Sequence, residues 1–171
     1  MRRRDILFTP LLVLAAAAPE FPASVEMAGR TLVLNGTGTR VYSPLGIGIY
    51  RAALYLTALN HDAGAILASS EPKRLYLHYL HHIDASRAVE AWEASFADNC
   101  HCPIPPAFRA RIGSIDAGTG ERYDFLPEAL SVAVNDGKPV VIPGASAAVL
   151  ATFLGPAPPT EALKKALLGL S

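Results

Sequence analysis

The chain carries no surplus of charge: 15 lysines and arginines stand against 15 aspartates and glutamates in 171 residues. A neutral balance supplies no field for a polyanion, so nucleic acid is excluded as the expected partner, and net charge gives no argument for an anionic membrane surface. Long apolar runs are also missing. The longest at the N-terminus, residues 6–14, is interrupted by Pro10 and falls short of the roughly 20 residues that span a bilayer, so no stable membrane anchor is expected. There is no Gly-x-Ser-x-Gly elbow, phosphate loop or dinucleotide fingerprint, and no internal repeat. No cofactor is expected.

What is present begins with an export signal. Arg2, Arg3 and Arg4 make a positive start, residues 6–14 an apolar middle and residues 15–18 a run of alanines suited to cleavage. The Arg3-Arg4 pair touches on a twin-arginine signal. Residues 1–18 are therefore read as a signal peptide cleaved near Ala17 or Ala18, and residues 19–171 as one domain of a periplasmic protein. Cleavage after Ala17 removes three arginines and Asp5, leaving 12 basic and 14 acidic residues and a net charge of −2. The 51% hydrophobic content suffices for a sizeable core.

Prolines and glycines punctuate the chain singly and do not mark a linker. Residues 25–35 read as a hairpin turning at Ala28-Gly29, and residues 47–56 as a long apolar strand with Tyr50, Ala52, Leu54 and Leu56 on one face. Residues 61–68 form a short helix capped by Asn60, and residues 73–80 return to strand alternation. Asp84 caps a helix through Ala97 whose buried face carries Ala85, Ala88, Val89, Trp92 and Phe96. Pro103 to Pro106 breaks the chain, and residues 108–115 read as a further short helix. Asp116, Glu121, Asp124 and Glu128 lie in a glycine-rich stretch and read as solubilising loop carboxylates. Residues 130–134 and 139–142 flank an Asn135-Asp136-Gly137 turn. Helices over residues 145–154 and beyond Thr160 close the chain. Hairpins with helices that are not interleaved as βαβ units indicate α+β.

Two constellations carry chemistry. Arg40, after a glycine-rich turn in LNGTGTR, is a permanent cation on a largely apolar stretch and asks for an anionic or carbonyl partner. That partner is a ligand, or an acid such as Asp84 or Glu26. The second constellation is His78, His81 and His82 with Cys100-His101-Cys102, nitrogen and sulfur donors for a metal or haem. Strand parity sends His78 and His82 one way and His81 the other, and the Cys-x-Cys spacing is tighter than a zinc knuckle, so surface histidines beside a loop are the simpler reading. Cys100 and Cys102 form either a small, strained, reducible ring or two free thiols.

The segments LNGTGTR, IYRAALYL, KRLYLHYLHHIDASRAVEAW, AVNDGKPVVIPG and FLGPAPPTEALKKALLG, in this order, resemble the bacterial, exported branch of the chalcone isomerase-like family. The resemblance implies an open-faced β-sandwich, a large antiparallel sheet with helices packed on one face and a ligand cleft between the layers. In plant chalcone isomerases an arginine and a strand threonine bind the substrate's oxygens, helped by a helix tyrosine and an asparagine. By position the arginine is Arg40, the threonine falls on Tyr50 and the asparagine near Asn99. No tyrosine occurs in residues 86–89, where Tyr79 and Trp92 are the nearest aromatics. An intramolecular lyase needs its donors placed around a developing enolate, and here the tyrosine and threonine are unmatched. An arginine paired with a tyrosine is similar to the fatty-acid-binding members of the fold. The expectation is a non-catalytic binder of a small hydrophobic acid held by Arg40, Tyr50 and Asn99. The alternatives are cyclisation of a flavonoid-like ligand, with Arg40 as the catalytic group, and metal or haem binding.

Overall fold

A computed structural model describes residues 20–42 and 45–170, and the signal-peptide reading of residues 1–18 lies outside them. The elements are β1 (Ser24–Met27), β2 (Arg30–Tyr42), β3 (Ile47–Leu56), α1 (Ala63–Ala68), β4 (Lys73–Tyr79), α2 (Ala85–Cys100), α3 (Pro106–Arg109), β5 (Gly120–Phe125), β6 (Ala129–Val134), β7 (Val140–Pro143), α4 (Ser146–Leu154) and α5 (Glu161–Leu167). The seven strands form one sheet in chain order, each antiparallel to the next. The architecture is the expected α+β one, with a broad antiparallel sheet and helices on one face.

Local chemistry explains the turns. Ala28 and Gly29 have φ of 51° and 72°, and Asn135 and Asp136 have 47° and 55°. Two successive positive φ values give the mirror-image turn whose twist matches a hairpin. Strand alternation then sorts the side chains. Tyr50, Ala52, Leu54 and Leu56 of β3 and Leu75, Leu77 and Tyr79 of β4 face the helices, where they pack with Phe96, Phe108, Val149 and Phe153. Each large apolar side chain buried there contributes about 1.5–3 kcal/mol. The opposite face carries a smaller cluster of Met27, Leu32, Ala53 and Tyr55, partly covered by Phe21. The Tyr55 hydroxyl donates to the Pro22 carbonyl across that face at 2.8 Å.

Several local expectations are corrected. The glycines before Arg40 lie inside β2, which runs unbroken to Tyr42, and not in a turn. Their role is close approach. A Cβ on Gly36 would overlap the carbonyl oxygens of Ala166 and Leu167, and one on Gly38 would stand 2.7 Å from Ala166 Cβ, so α5 lies directly on β2. The first short helix is capped by Asp62, whose side chain accepts from Ala65 N at 3.0 Å. Asn60 is engaged elsewhere, its backbone N–H donating to Asn35 Oδ1 and its own Oδ1 accepting from Asp62 N. The helix expected over residues 108–115 is the single turn α3, after which Ile115 bridges to Ile83.

The largest correction is β5. Glu121 and Asp124 are not loop carboxylates but buried strand residues, 6% and 9% exposed. Asp124 accepts two hydrogen bonds from the Arg74 guanidinium. Glu121 accepts from Arg111 Nη2 at 2.7 Å and from the hydroxyls of Tyr79 and Tyr123. Paired and hydrogen-bonded, these charges are tolerated in a central strand.

Candidate functional site

A cleft of about 240 Å³ opens between the sheet and the helices. Its floor is Ile49 and Tyr50 of β3 with Leu77 and Tyr79 of β4, and its roof is α2 with Phe153 of α4. The gap exists because α2 sets Ala88, Ala91 and Ser95 over the sheet, and these side chains are too short to fill it. Trp92 closes one side, its ring 4.8 Å from Phe108 and 6.0 Å from Phe153. Solvent-exposed lining residues mark the mouth: Tyr42, His82 and Arg87, with half-buried Arg40 just inside.

Arg40 and Tyr50 are direct cross-strand partners on β2 and β3. The Arg40 guanidinium carbon lies 5.8 Å from the centroid of the Tyr50 ring, within cation–π range. Tyr50 is 4% exposed. Burial pushes its phenol up to about 12, against the opposing pull of Arg40, so it stays a neutral donor. The Tyr79 ring meets Tyr50 edge-on at 5.5 Å. Its hydroxyl donates to Glu121 Oε2 at 3.1 Å, and burial, then its charged neighbours, hold that phenol well above its ordinary value. Tyr79 thus braces the floor and is tied away from the cleft.

Among the described residues Arg40 has no carboxylate partner. Of the two acids considered for it, Glu26 accepts from Thr31 at 2.5 Å, and Asp84 lies 3.4 Å from His82 Nε2. Arg87 of α2 also has no carboxylate partner among the described residues. The mouth can therefore accept an anion, and the walls behind it are apolar. The hydrogen bond to Asp116, at 2.9 Å from Nδ1, raises the pKa of His82 against slight desolvation, with Asp84 adding to it. His82 thus stands at the rim with Asp84 and Asp116 held against it.

The other candidates do not converge here. Asn99 lies at the far end of α2 outside the cleft lining. Its amide donates to the carbonyls of Ser95 and Ala157, each at 2.8 Å, and its Oδ1 accepts from Ala157 N at 3.0 Å. The asparagine therefore clasps the segment after α4. His78 and His82 do not share a face, because β4 ends at Tyr79. His78 lines a separate hollow on the opposite face of the sheet, with Tyr76 and Arg122. His101 caps the C-terminus of α2, and Cys100 and Cys102 are joined in a disulfide. That end of a 16-residue helix lies roughly 24 Å from its start beside His82. Among the described residues no group of three or more His, Cys, Asp or Glu side chains is placed to hold a metal ion.

Sequence reasoning singled out neither Arg87 nor Tyr42, and it weighed His82 as a metal ligand against the simpler reading of a surface histidine, not as part of the cleft mouth. Arg87 follows Asp84 by three residues on the helix start, a solvent position by the apolar pattern. Only the packing of α2 over β3 brings it to the mouth.

The family model described as chalcone isomerase-like matches residues 15–169. No curated protein matches the chain significantly. Among solved structures, a fatty-acid binding protein of Arabidopsis thaliana superimposes with a TM-score of 0.66 at 15% identity, over 86% of this chain and 90% of that one. At that identity the likeness concerns the fold. The match spans every described strand and helix, and the chain belongs to the chalcone isomerase-like family.

Proposed function

We propose that the protein is an exported, non-catalytic binder of a small hydrophobic carboxylic acid. The observation that carries this reading is the pairing of Arg40 with Tyr50 at an apolar cleft, with no protein carboxylate on Arg40 among the described residues. A guanidinium and a neutral phenol hold one carboxylate by charge-assisted hydrogen bonds, and the tail is buried against Leu77, Ala88, Trp92 and Phe153. Arg87 adds a second cation at the mouth. The fatty-acid binding protein with the same fold supports a lipid-like cargo as an analogy of architecture.

Size limits the cargo. At about 240 Å³ the cleft lies just below the roughly 300–1,000 Å³ of pockets that enclose drug-sized ligands. A medium-chain acid fits within, whereas a long-chain acid leaves its end outside the cleft.

Native mass spectrometry of the protein mixed with octanoate, decanoate or palmitate tests the reading. The expected result is a one-to-one complex that survives best for the medium chains and is lost in Arg40→Ala. Hydroxychalcone turnover that disappears in Arg40→Ala would replace this reading with an intramolecular lyase. Export is tested separately: N-terminal sequencing of the periplasmic protein is expected to begin at Ala18 or Pro19.

A further inference from the structure

A second hollow, of about 390 Å³, lies on the opposite face of the sheet from the cleft. It exists because Gly120, the first residue of β5, stands across from His78 of β4 and offers no side chain. A Cβ there would meet nothing nearer than Asn135 Oδ1 at 3.7 Å, so the space above it is open. Half-buried Tyr76, His78 and Arg122 form the floor, and Phe21, from the segment before β1, lies alongside. The Arg74 guanidinium carbon stands 5.7 Å from the Tyr76 ring centroid, and Tyr55 meets that ring edge-on, so the aromatic wall is held in place.

The charges around this hollow cancel in pairs. Arg122 Nη1 donates to Asp136 Oδ1 at 3.2 Å, and Arg51 Nη1 to Glu20 Oε2 at 2.5 Å. Arg122 Nε also stands 3.5 Å from Asp124 Oδ2. An ion of either sign would have to displace a counter-ion already in place, which a carboxylate at Arg40 does not. What remains for a ligand is polarity of both kinds without net charge. Asn135 turns its Oδ1 to Gly120 N at 2.8 Å and keeps its amide donors, while His78 can donate or accept and the Asp136 and Glu20 carboxylates keep lone pairs. These groups come from the turn after β6, from the sheet and from the leading segment, so polarity surrounds the hollow while Tyr76 and Phe21 make one side of it apolar. A hydroxyl both donates and accepts. A ring with hydroxyls along its edge and C–H bonds on its face matches both features, and a pyranose is such a ring. A bare aromatic ring would suit Tyr76 and Phe21 but would strip water from the polar rim without replacing its hydrogen bonds. The volume lies within the roughly 300–1,000 Å³ of ligand pockets.

We propose that this hollow binds a neutral pyranose sugar, free or at the end of a glycan, with the ring face on Tyr76 and hydroxyls on His78, Asn135 and Asp136. The site is independent of the acid-binding reading, because the sheet separates the two.

The test is a titration of the isotope-labelled protein, followed by its amide NMR shifts, with glucose, galactose and N-acetylglucosamine, each also as its methyl glycoside. Saturable shifts centred on residues 118–122 and 135–136 are expected for at least one sugar. A methyl glycoside that binds as well as its sugar upholds the site with a glycan end as the source, and binding of the free sugar alone upholds it with a free one. Gly120→Leu, which fills the hollow, is expected to abolish the shifts while urea unfolding shows the protein still folded. His78→Ala, which leaves the backbone as it is, is expected to weaken binding about tenfold. No saturable shift with any of the sugars overturns the proposal, as does unchanged binding in a folded Gly120→Leu. Benzoate or benzamidine shifting these residues where the sugars do not makes the hollow an ion site and overturns it as well. Decanoate titrated in parallel reports on the cleft alone, so the two readings fail separately.

Discussion

Arg40 is cationic at any physiological pH and half-buried on a strand, a costly position unless something anionic completes it. Its cross-strand neighbour Tyr50 is buried and neutral up to about pH 12. Removing either group should therefore cost the ligand and not the fold. For a bound decanoate, Arg40→Ala is expected to weaken binding roughly thirtyfold, or about 2 kcal/mol, and Tyr50→Phe about tenfold. Calorimetric titration reads both. Glu121 behaves differently, because it accepts from Arg111, Tyr79 and Tyr123 inside the protein. Glu121→Gln leaves Arg111 buried without its counter-ion and is expected to cost about 3 kcal/mol in urea unfolding. Arg40 and Tyr50 were legible as site candidates because a lone cation on an apolar stretch is conspicuous in any register. Asn99 was not legible, since the same amide type serves a ligand or a backbone clasp and only the segment at Ala157 decides.

Among the elements, those with a strong local signal were readable: the two hairpins with positive-φ turns, the amphipathic α2, and α5 with its Thr160 cap accepting from Leu163 N. β5 was hidden. Its GERYDF segment interleaves Glu121, Arg122 and Asp124 with Tyr123 and Phe125, and charges in a strand argue against burial. What reverses the argument is distant in sequence. Arg74 lies 50 residues from Asp124, and Arg111 lies on the chain segment after α3. The glycines of β2 misled in the same way, because Gly36 and Gly38 look like a turn until α5 is laid across them. Gly36→Ala pushes a methyl group into the backbone of α5 and is expected to destabilise the protein by about 3 kcal/mol in urea unfolding. Gly29→Asn, at φ 72° in an open turn, should be near neutral in the same measurement.

Across the molecule, three phenols are locked in the layer between sheet and helices. Burial raises Tyr50 to about 12, and raises Tyr79 and Tyr123 well above their ordinary value. The folded state then holds these protons more tightly than the unfolded chain, whose phenols titrate near 10. Stability should be level in this respect below about pH 10 and fall as pH rises from there through about 12. Circular dichroism and tyrosinate absorbance should change together in that window, and titration of all the tyrosines without unfolding would contradict it. The layered arrangement also makes the cleft. Short side chains on α2 leave the gap, and the sheet sets Arg40 and Tyr50 beside it. The account stands or falls on whether that gap takes a carboxylate at Arg40. The most direct measurement is calorimetric titration of decanoate and of decanol into wild type and Arg40→Ala. One-to-one binding of the acid, weaker binding of the alcohol, and loss of that preference in Arg40→Ala are predicted. Equal affinity for acid and alcohol in both proteins, or no binding at all, would contradict the account.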